Sequence, residues 1–285
     1  MSTMMLGAEV AAAMKEKLLL EVAALTERGI VPCLCIVRVG ARPDDLAYER
    51  GAKKRMESIG IRCQVTELPE NITQEAFEEA FRKVNENPDI HGILLFRPLP
   101  EHLDETPVKA MIDPYKDVDC MSETNIARLF SGDSRGYAPC TAEAVMEMLH
   151  HYRIDPEGKK VTVIGRSMVV GKPLAMLMLK ENATVTICHT RTKNLDAMCR
   201  EAEILVAAAG KANMVKKEMV GSGAVVADVG INVDENGKLC GDVAFDEVKD
   251  IASYISPVPR GVGSVTSSVL AKHVIRAAKW MNHPE

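Results

Sequence analysis

The sequence predicts an α/β fold of two domains, each built on a parallel sheet, with a doubly wound pattern in the second half. Two observations support this prediction. Short apolar runs alternate with amphipathic helical runs from end to end, which is typical of parallel strands whose connecting helices cover both faces of a sheet. A segment rich in Gly, Ser and Pro (SGDSRGYAPCT, residues 131–141) separates the halves and predicts a linker.

Helices are predicted where apolar residues recur with the helical period, and strands where apolar residues run together between turn residues. The run PCLCIVRVG at residues 32–40, for example, predicts a buried strand. In the first half these rules predict, in order, helix 8–28, strand 33–39, helix 45–59, strand 63–68, helix 74–85 and strand 92–96.

The second half repeats the alternation, beginning with the run KKVTVIG. The run AEAVMEMLHHY after the linker predicts a helix that bridges two domains, and VLAKHVIRAAKWM predicts a final amphipathic helix at residues 269–281. The strands predicted here are 159–165, 183–190, 203–210, 223–232 and 252–259.

Length and charge narrow the class of protein. A chain of 285 residues can form one large or two medium domains with an ample apolar core. The net charge is −5, and the basic residues form no stripe, so a nucleic-acid partner is not expected. No apolar run approaches the ~20 residues of a membrane-spanning helix. The N-terminal stretch lacks the features of a signal peptide. We therefore expect a soluble, cytoplasmic protein without membrane partners.

The cysteine and histidine patterns do not predict a metal site. The eight cysteines are scattered, with no C-x-x-C pair, and the histidines form no H-E-x-x-H motif. Cys33 and Cys35 alternate along a predicted strand and so point the same way. We expect buried free thiols and no structural metal.

A glycine loop follows the strand VTVIG. The segment GRSMVVGKP, residues 165–173, places Gly165 and Gly171 at a turn where backbone N–H groups can approach a phosphate. Ser167 is expected to cap the helix that follows, and Pro173 suits its first turn. The spacing G-x-S-x-x-x-G differs from the usual dinucleotide motif, so an ordinary strand-to-helix turn remains an alternative for this loop alone.

The next strand bears on which nucleotide binds. Dinucleotide folds that prefer NAD carry an acid about 20 residues past the glycines, on the ribose hydroxyls. Here the strand ends in CHTRT, which holds Thr190 and Arg191 but no acid, and Arg166 lies in the loop itself. These groups favour a 2′-phosphate and therefore NADP over NAD, although a solvated loop arginine is the alternative for Arg191. Ile231, at the carboxyl end of the predicted strand 223–232, is expected to lie against the nicotinamide.

The stretch YERGAKKR raises the question of a proton-transfer pair. A tyrosine and a lysine four residues apart on a helix share one face and can act as acid and base. Here the residue four places after Tyr48 is Ala52, and the lysines follow at Lys53 and Lys54. Because each helical residue turns by about 100°, we expect Lys53 to point away from the face that Tyr48 and Ala52 share.

The order of the motifs resembles one family. GRSMVVGKP, CHTRT, DVGIN, GDV and PVPRGVGSVT in the second half, with VRVG, Tyr48, GILLFRPLP, KDVD and PCT in the first, are similar in order and spacing to methylenetetrahydrofolate dehydrogenase/cyclohydrolase, the FolD family. The resemblance covers essentially the whole chain. No single motif decides it, but their joint order is highly specific.

The resemblance implies a domain plan and an activity. It implies a folate-binding catalytic domain at residues 1–139 and 266–285, a Rossmann-like NAD(P)-binding domain at 140–265, and a homodimer. The dehydrogenase step would move a hydride from 5,10-methylenetetrahydrofolate to NADP, and the cyclohydrolase step would hydrate the methenyl product to 10-formyltetrahydrofolate. Tyr48 and Asp119 match the family's substrate-site tyrosine and pterin-binding aspartate.

The chain departs from the family pattern at several of its site positions. Ala52 stands at the lysine position and Phe96 at the glutamine position, while Arg97 replaces an apolar residue. Arg260 stands where the family has a glycine. Loss of both polar partners avoids leaving a buried polar group unsatisfied, which costs about 1–3 kcal/mol, so the change resembles a coherent remodelling.

Three functional hypotheses follow. The first is a dehydrogenase whose cyclohydrolase activity is weak or absent, because the nucleotide half, Tyr48 and Asp119 are kept while the lysine and glutamine are lost. The second is a fully bifunctional enzyme in which other groups handle the water. The third is a non-catalytic folate-binding paralogue. An unrelated NADP dehydrogenase acting on a hydroxy acid would need a proton acceptor, for which the sequence offers only His189.

Overall fold

The structure is a computed structural model that describes residues 2–235 and 237–282. Its internal contacts divide the chain into two compact units. The first unit contains the described residues of 13–138 and 267–282, and the second contains those of 2–12 and 139–266. Both units have α/β architecture with a parallel sheet, which confirms the predicted fold class.

The elements follow one another in the alternating order that the sequence predicts. The strands are β1 (Thr3–Met4), β2 (Cys33–Val39), β3 (Arg62–Leu68), β4 (Gly92–Leu95), β5 (Lys160–Ile164), β6 (Thr184–Cys188), β7 (Ile204–Ala207), β8 (Val225–Asp228), β9 (Asn232–Val233), β10 (Leu239–Cys240) and β11 (Tyr254–Ile255). The α-helices are α1 (Gly7–Thr26), α2 (Pro43–Glu57), α3 (Gln74–Glu86), α4 (Thr106–Met111), α5 (Glu123–Ser131), α6 (Cys140–His151), α7 (Gly171–Lys180), α8 (Leu195–Arg200), α9 (Phe245–Val248) and α10 (Thr266–Asn282).

The first unit is built around a parallel sheet of order β3-β2-β4. Every residue of the central strand β2 is buried, as its continuous apolar sequence predicts. Helix α3 begins after Thr73, whose Oγ1 accepts a hydrogen bond from the N–H of Ala76 at 3.3 Å. Its apolar face buries Phe77 and Phe81 in one cluster with β2 and β4, and each ring contributes about 1.5–3 kcal/mol by leaving water.

The second unit contains a six-stranded parallel sheet of order β1-β11-β8-β7-β5-β6 and a short antiparallel hairpin of β9 and β10. Strand β5 pairs with β6 on one side and with β7 on the other, so the strand order reverses at β5. In open α/β sheets, ligands bind outside the carboxyl ends of the strands at such a reversal. The loop after β5 therefore lies where a nucleotide site is expected.

The N-terminal segment differs from the predicted domain plan. Residues 2–12 fall in the second unit, whereas the sequence assigned them to the first. The physical reason is that β1 pairs in parallel with β11, Thr3 opposite Tyr254 and Met4 opposite Ile255. A two-residue strand carries too little periodicity to be read from sequence. The predicted termini at residues 1 and 283–285 lie outside the described residues.

The predicted strand 223–232 is also divided in the structure, where β8 ends at Asp228 and β9 begins at Asn232. Across the described part of the chain, no helix combines the length and the apolar character needed to cross a membrane.

Candidate active site

In the first unit, Tyr48 and Ala52 lie one turn apart on α2, as the sequence predicts. Ala52 is buried at 2 % exposure, and Phe96, directly after β4, is buried as well. The rings of Tyr48 and Phe96 meet edge to face, with centroids 5.6 Å apart and planes at 76°. Such pairs contribute about 0.5–1.5 kcal/mol beyond the area they bury. The structure thus brings Tyr48 together with Phe96, and Ala52 lies on the same helix face.

The side chain of Lys53 forms an ion pair on a different face of α2. Its Nζ donates to Oε1 of Glu49 at 2.8 Å, and Oε2 of the same carboxylate accepts from Nε of Arg38 at 2.9 Å. Arg38 also pairs with Glu67 on the edge strand β3, with 3.0 Å between Nη2 and Oε1. The hydrogen bond to Glu49 raises the pKa of Lys53, so the ammonium stays protonated. Lys53 is thus committed to an ion-pair network beside β3.

The carboxylate at the centre of this network stays ionised. Burial alone would raise the pKa of Glu49, but the hydrogen bonds from Lys53 and Arg38 outweigh it and lower the pKa below its usual value. Both Arg38 and Glu49 are buried. Removing one partner of a buried ion pair is strongly destabilising, because it leaves the other charge buried without compensation. The network therefore ties α2 to strands β2 and β3, and Tyr48 lies on α2 beside Glu49.

The segment KDVD presents Asp119 through two buried neighbours. Asp117 accepts hydrogen bonds from the N–H groups of Met121 and Ser122, at 2.8 and 2.9 Å, and from Nδ2 of Asn125 at 2.9 Å. Lys116 donates its ammonium to the backbone carbonyls of Asn85 and Asn87, at the C-terminal end of α3. These contacts fold the chain into the turn that holds half-buried Asp119.

A short pairing beside β4 precedes Asp119. Ile93 and Asp117 form an isolated parallel bridge, and the chain turns directly after it, at Val118 and Asp119. No role was predicted for Asp117, although the repeated acid in KDVD was the available signal.

Arg97 follows Phe96 and is half-buried. Burial raises the pKa of the Cys120 thiol, and the charge of Arg97 lowers it in part. Cys120 itself adopts a left-handed backbone with φ of 56°, a conformation uncommon for residues other than glycine. The family position of Cys120 is a glycine by resemblance, so this turn geometry is kept without one.

In the second unit, the loop after β5 requires both of its glycines. Gly165 has φ of 125°, and a Cβ there would overlap the carbonyl of Ala208. A Cβ on Gly171 would overlap the carbonyl of Gly165. The loop is therefore drawn tightly over the sheet, and its N–H groups precede the ten-residue helix α7. This is the geometry that lets a backbone approach a phosphate.

Ser167 shapes this loop differently from the prediction. The N-cap residue of α7 is Val170, and it makes no side-chain cap. The hydroxyl of Ser167, three residues before that N-cap, instead accepts a hydrogen bond from the N–H of Val170 at 3.1 Å. Ser167 and Arg166 are both exposed at the loop surface.

The turn after β6 exposes the groups predicted at the ribose end. The N–H of His189 donates to Oγ1 of Thr192 at 2.8 Å, and the N–H of Arg191 donates to Nδ1 of His189 at 3.1 Å. These bonds close a tight turn on which Thr190 and Arg191 are exposed. Since β5 and β6 are neighbours, Arg166 and Arg191 follow adjacent strand ends.

Two buried aspartates organise the loops after β7 and β8. Asp228 accepts hydrogen bonds from the N–H groups of Gly230, Asp242 and Val243 at 3.0, 3.0 and 2.9 Å. Burial raises the pKa of Asp228 to about 6 against these bonds, and the charge of Asp242 adds to the rise. The sequence marked DVGIN and GDV as motifs but assigned neither carboxylate a role.

Ile231 lies beside this pair of aspartates and is 70 % exposed. An exposed isoleucine at the carboxyl edge of the sheet suits contact with a flat ring. Arg260 has φ of 83°, where a glycine would be unstrained. It lines a cavity of about 550 Å³ together with Lys216, Lys238 and Asp228. Within residues 2–235 and 237–282, no cluster of His, Cys, Asp and Glu is placed to hold a metal ion.

Comparison with known proteins gives matches over nearly the whole chain. The family model described as tetrahydrofolate dehydrogenase/cyclohydrolase, catalytic domain, matches residues 5–119, and the corresponding NAD(P)-binding domain matches residues 139–282. A protein of Clostridioides difficile (strain 630), named bifunctional protein FolD, is 56 % identical over 277 residues, which cover 97 % of this chain and 96 % of that protein.

Solved structures agree. The bifunctional enzyme FolD-methylenetetrahydrofolate dehydrogenase/cyclohydrolase of Campylobacter jejuni superposes with a TM-score of 0.95 at 39 % identity, covering 98 % of this chain and 99 % of that one. The N5,N10-methylenetetrahydrofolate dehydrogenase-cyclohydrolase (FolD) of Trypanosoma brucei, solved with NADP cofactor and an inhibitor, gives 0.91 at 38 % identity, covering 98 % and 97 %.

Proposed function

Because this chain belongs to the tetrahydrofolate dehydrogenase/cyclohydrolase family, we propose that it oxidises 5,10-methylenetetrahydrofolate with NADP, giving 5,10-methenyltetrahydrofolate and NADPH in one-carbon metabolism. The observation that carries the proposal is the glycine loop after β5, which only glycine allows at Gly165 and Gly171 and which leads directly into the N-terminus of α7. The NADP named for the Trypanosoma brucei relative supports the choice of cofactor.

The residues of the second unit fit such a cofactor. NADP, when bound, supplies the acceptor for the hydride. The loop N–H groups and the α7 N-terminus would hold its phosphates. Arg166 and Arg191, on adjacent strand ends with no acid between them, would hold the 2′-phosphate, since arginine pairs well with phosphate oxygens. Ile231 would pack against the nicotinamide and Thr190 would bond near the ribose.

In the first unit, the proposal places the folate at the carboxyl ends of β2 and β4. Asp119 would bind the pterin, and Tyr48 would lie against the reacting one-carbon group. The role of such residues in hydride transfer is to position two rings, because the cofactor supplies the chemistry. Phe96 adds an apolar wall that contacts Tyr48.

The proposal extends to water addition, giving 10-formyltetrahydrofolate. The hypothesis of weak or absent cyclohydrolase activity is not supported by the comparisons, because the Campylobacter jejuni and Trypanosoma brucei relatives are named for both activities and the Clostridioides difficile relative is named bifunctional. The bifunctional alternative fits better. Since Ala52 and Phe96 offer no titratable group, the proton transfer in this chain would rely on Tyr48, the polar side chain that contacts Phe96.

Purified protein supplied with methylenetetrahydrofolate and either NADP or NAD tests the dehydrogenase directly. We expect kcat/KM to be at least about tenfold higher with NADP, and Arg191→Ala to narrow that ratio by raising KM for NADP. Arg135→Ala is the matched control, because that exposed arginine of the first unit pairs with Asp133. Equal kcat/KM values with NADP and NAD, both in the wild type and in Arg191→Ala, would contradict the assignment of NADP as the cofactor.

A non-catalytic folate-binding paralogue is the alternative. Calorimetry separates the two, since a binder without chemistry has no need of NADP, and absence of NADP binding would favour it. The proposal also includes a homodimer in the cytoplasm, as the family resemblance implies. Light scattering at enzyme concentrations used in the assay would measure the assembly.

A further inference from the structure

Asp242 makes an unusual set of contacts for a carboxylate near a nucleotide site. It is fully buried. Its Oδ2 accepts from the N–H groups of Ala209 and Gly210, at 2.5 and 3.0 Å, and its Oδ1 accepts from the N–H of Lys211 at 2.8 Å. Three successive N–H groups converging on one point form an anion-binding nest. The chain fills this nest with its own carboxylate.

The nest lies next to the glycine loop. The N–H of Ala208 donates to the carbonyl of Ile164 at 2.8 Å, and Gly165 packs so closely on the carbonyl of Ala208 that no Cβ fits between them. Residues 208–211 therefore form the floor on which the turn of the glycine loop rests. Any movement of this floor would move the N–H groups that precede α7.

Asp242 also holds both residues that flank Ile231. Its Oδ1 accepts from Nδ2 of Asn232 at 2.9 Å. On the other side, a Cβ on Gly230 would overlap the Asp242 carboxylate, so the Gly230 backbone packs directly on it. Ile231 is thus exposed between two residues that a single buried side chain restrains.

We propose that Asp242 is a positioning residue for the dinucleotide, an internal anion that fixes the floor of the glycine loop and the setting of Ile231 together. This inference rests on the proposed function, since it needs a nicotinamide dinucleotide in the crevice. One carboxylate joins the segments after β7 and β8, so the phosphate end and the nicotinamide end of the site are set by the same group.

Asp242→Asn tests the role with little change in volume. A carboxamide has one acceptor oxygen, and its Nδ2 would face N–H groups that also donate. Leaving buried donors without an acceptor is unfavourable. We expect the Kd for NADP, measured by calorimetry on the full chain, to rise about tenfold, with KM for the folate substrate unchanged at saturating NADP.

Asp246→Asn is the matched control. It makes the same substitution and charge change four residues later, at a carboxylate that is exposed and pairs with Lys249. We expect its Kd for NADP to equal that of the wild type. Asn232→Ala is a second variant, because its half-buried amide is removed without disturbing the nest. Its Kd for NADP should rise at least about threefold, and it keeps the test decisive if Asp242→Asn fails to fold.

The outcomes separate this role from the proposed function. Wild-type protein that does not bind NADP would overturn the proposed function. Wild-type protein that binds NADP, with Asp242→Asn folded and binding equally well, would overturn the positioning role alone. A lower Tm with unchanged Kd for NADP would likewise show a merely structural residue. If Asp242→Asn does not fold, unchanged affinity in Asn232→Ala overturns the role.

Discussion

At the scale of single residues, Tyr48 and Phe96 form an apolar contact where the family resemblance implies a polar site. Ala52 has no polar group that needs a hydrogen-bond partner, and Phe96 is buried against the Tyr48 ring. Lys53 cannot act in place of a lysine at position 52, because Glu49 and Arg38 hold it in the ion-pair network beside β3. We propose that the residues at these two positions, Ala52 and Phe96, are energetically linked.

This linkage predicts non-additive stability. Ala52→Lys places an ammonium in a buried site beside an aromatic ring, so we expect the free energy of unfolding to fall by about 3 kcal/mol. Adding Phe96→Gln supplies an acceptor and should restore at least about 1 kcal/mol. Urea unfolding of the single and double variants measures both values. Ala47→Lys, at an exposed position of α2, is the control and should change little; strict additivity would refute the linkage.

Asp228 predicts a pH dependence with a defined sign. Its pKa is raised from 3.8 to about 6 in the folded protein, so the folded state holds its proton more firmly than the unfolded state does. Its contribution to stability is fully present below 3.8 and is lost as the pH rises through about 6. Asp228→Asn removes this titration, because an amide does not ionise.

The unfolding free energy of wild type minus that of Asp228→Asn should therefore fall between about pH 4.5 and about pH 7.5. The expected change is about 2 kcal/mol, since one pH unit corresponds to about 1.36 kcal/mol in this window. Urea titrations at several pH values give the difference directly. A difference that stays level, or that grows with pH, would show that Asp228 is ionised throughout.

At the scale of elements, the loop between β5 and α7 depends on a backbone that only glycine allows. Gly165→Ala combines a φ of 125° with overlap on Ala208, and we expect a loss of at least about 2 kcal/mol and of NADP affinity. Gly158→Ala is the control, since Gly158 has φ of 69° and open space around its Cβ position. Its cost should stay near 1 kcal/mol.

Thermal unfolding and NADP titration of both variants make the comparison. Equal behaviour of Gly165→Ala and Gly158→Ala would mean that close approach to Ala208 is not needed, and that the loop tolerates side chains. If Gly165→Ala lost NADP affinity but kept its Tm, the glycine would be required only when NADP is bound.

At the scale of the whole molecule, long periodic elements could be predicted and tertiary contacts could not. Strand β2 has the predicted bounds because its apolar run is continuous and ends at a glycine. The pairing of β1 with β11 was missed, since its partners lie some 250 residues apart and offer no local pattern. The roles of Asp117 and Asp242 were missed for the same reason: each carboxylate is defined by backbone N–H groups that only folding brings to it.

The candidate site, too, could be predicted only where local spacing determines the geometry. Tyr48 and Ala52 could be placed on one face from helical spacing alone. Phe96 comes from another strand, and its contact with Tyr48 required the structure. The hypothesis of weak or absent cyclohydrolase activity was drawn from the missing lysine and glutamine. The relatives favour the alternative that the sequence also raised, in which other groups handle the water.

The central claim is that one chain carries out both hydride transfer and water addition, with Tyr48 serving the second step. The most direct measurement follows reduced cofactor and methenyltetrahydrofolate together after adding methylenetetrahydrofolate and NADP. The account predicts NADPH rising while methenyl product decays faster than in buffer, and Tyr48→Phe accumulating methenyl product with a hydration rate about 100-fold lower. Methenyl product that accumulates in step with NADPH in the wild type, and decays no faster than the buffer control, would contradict it.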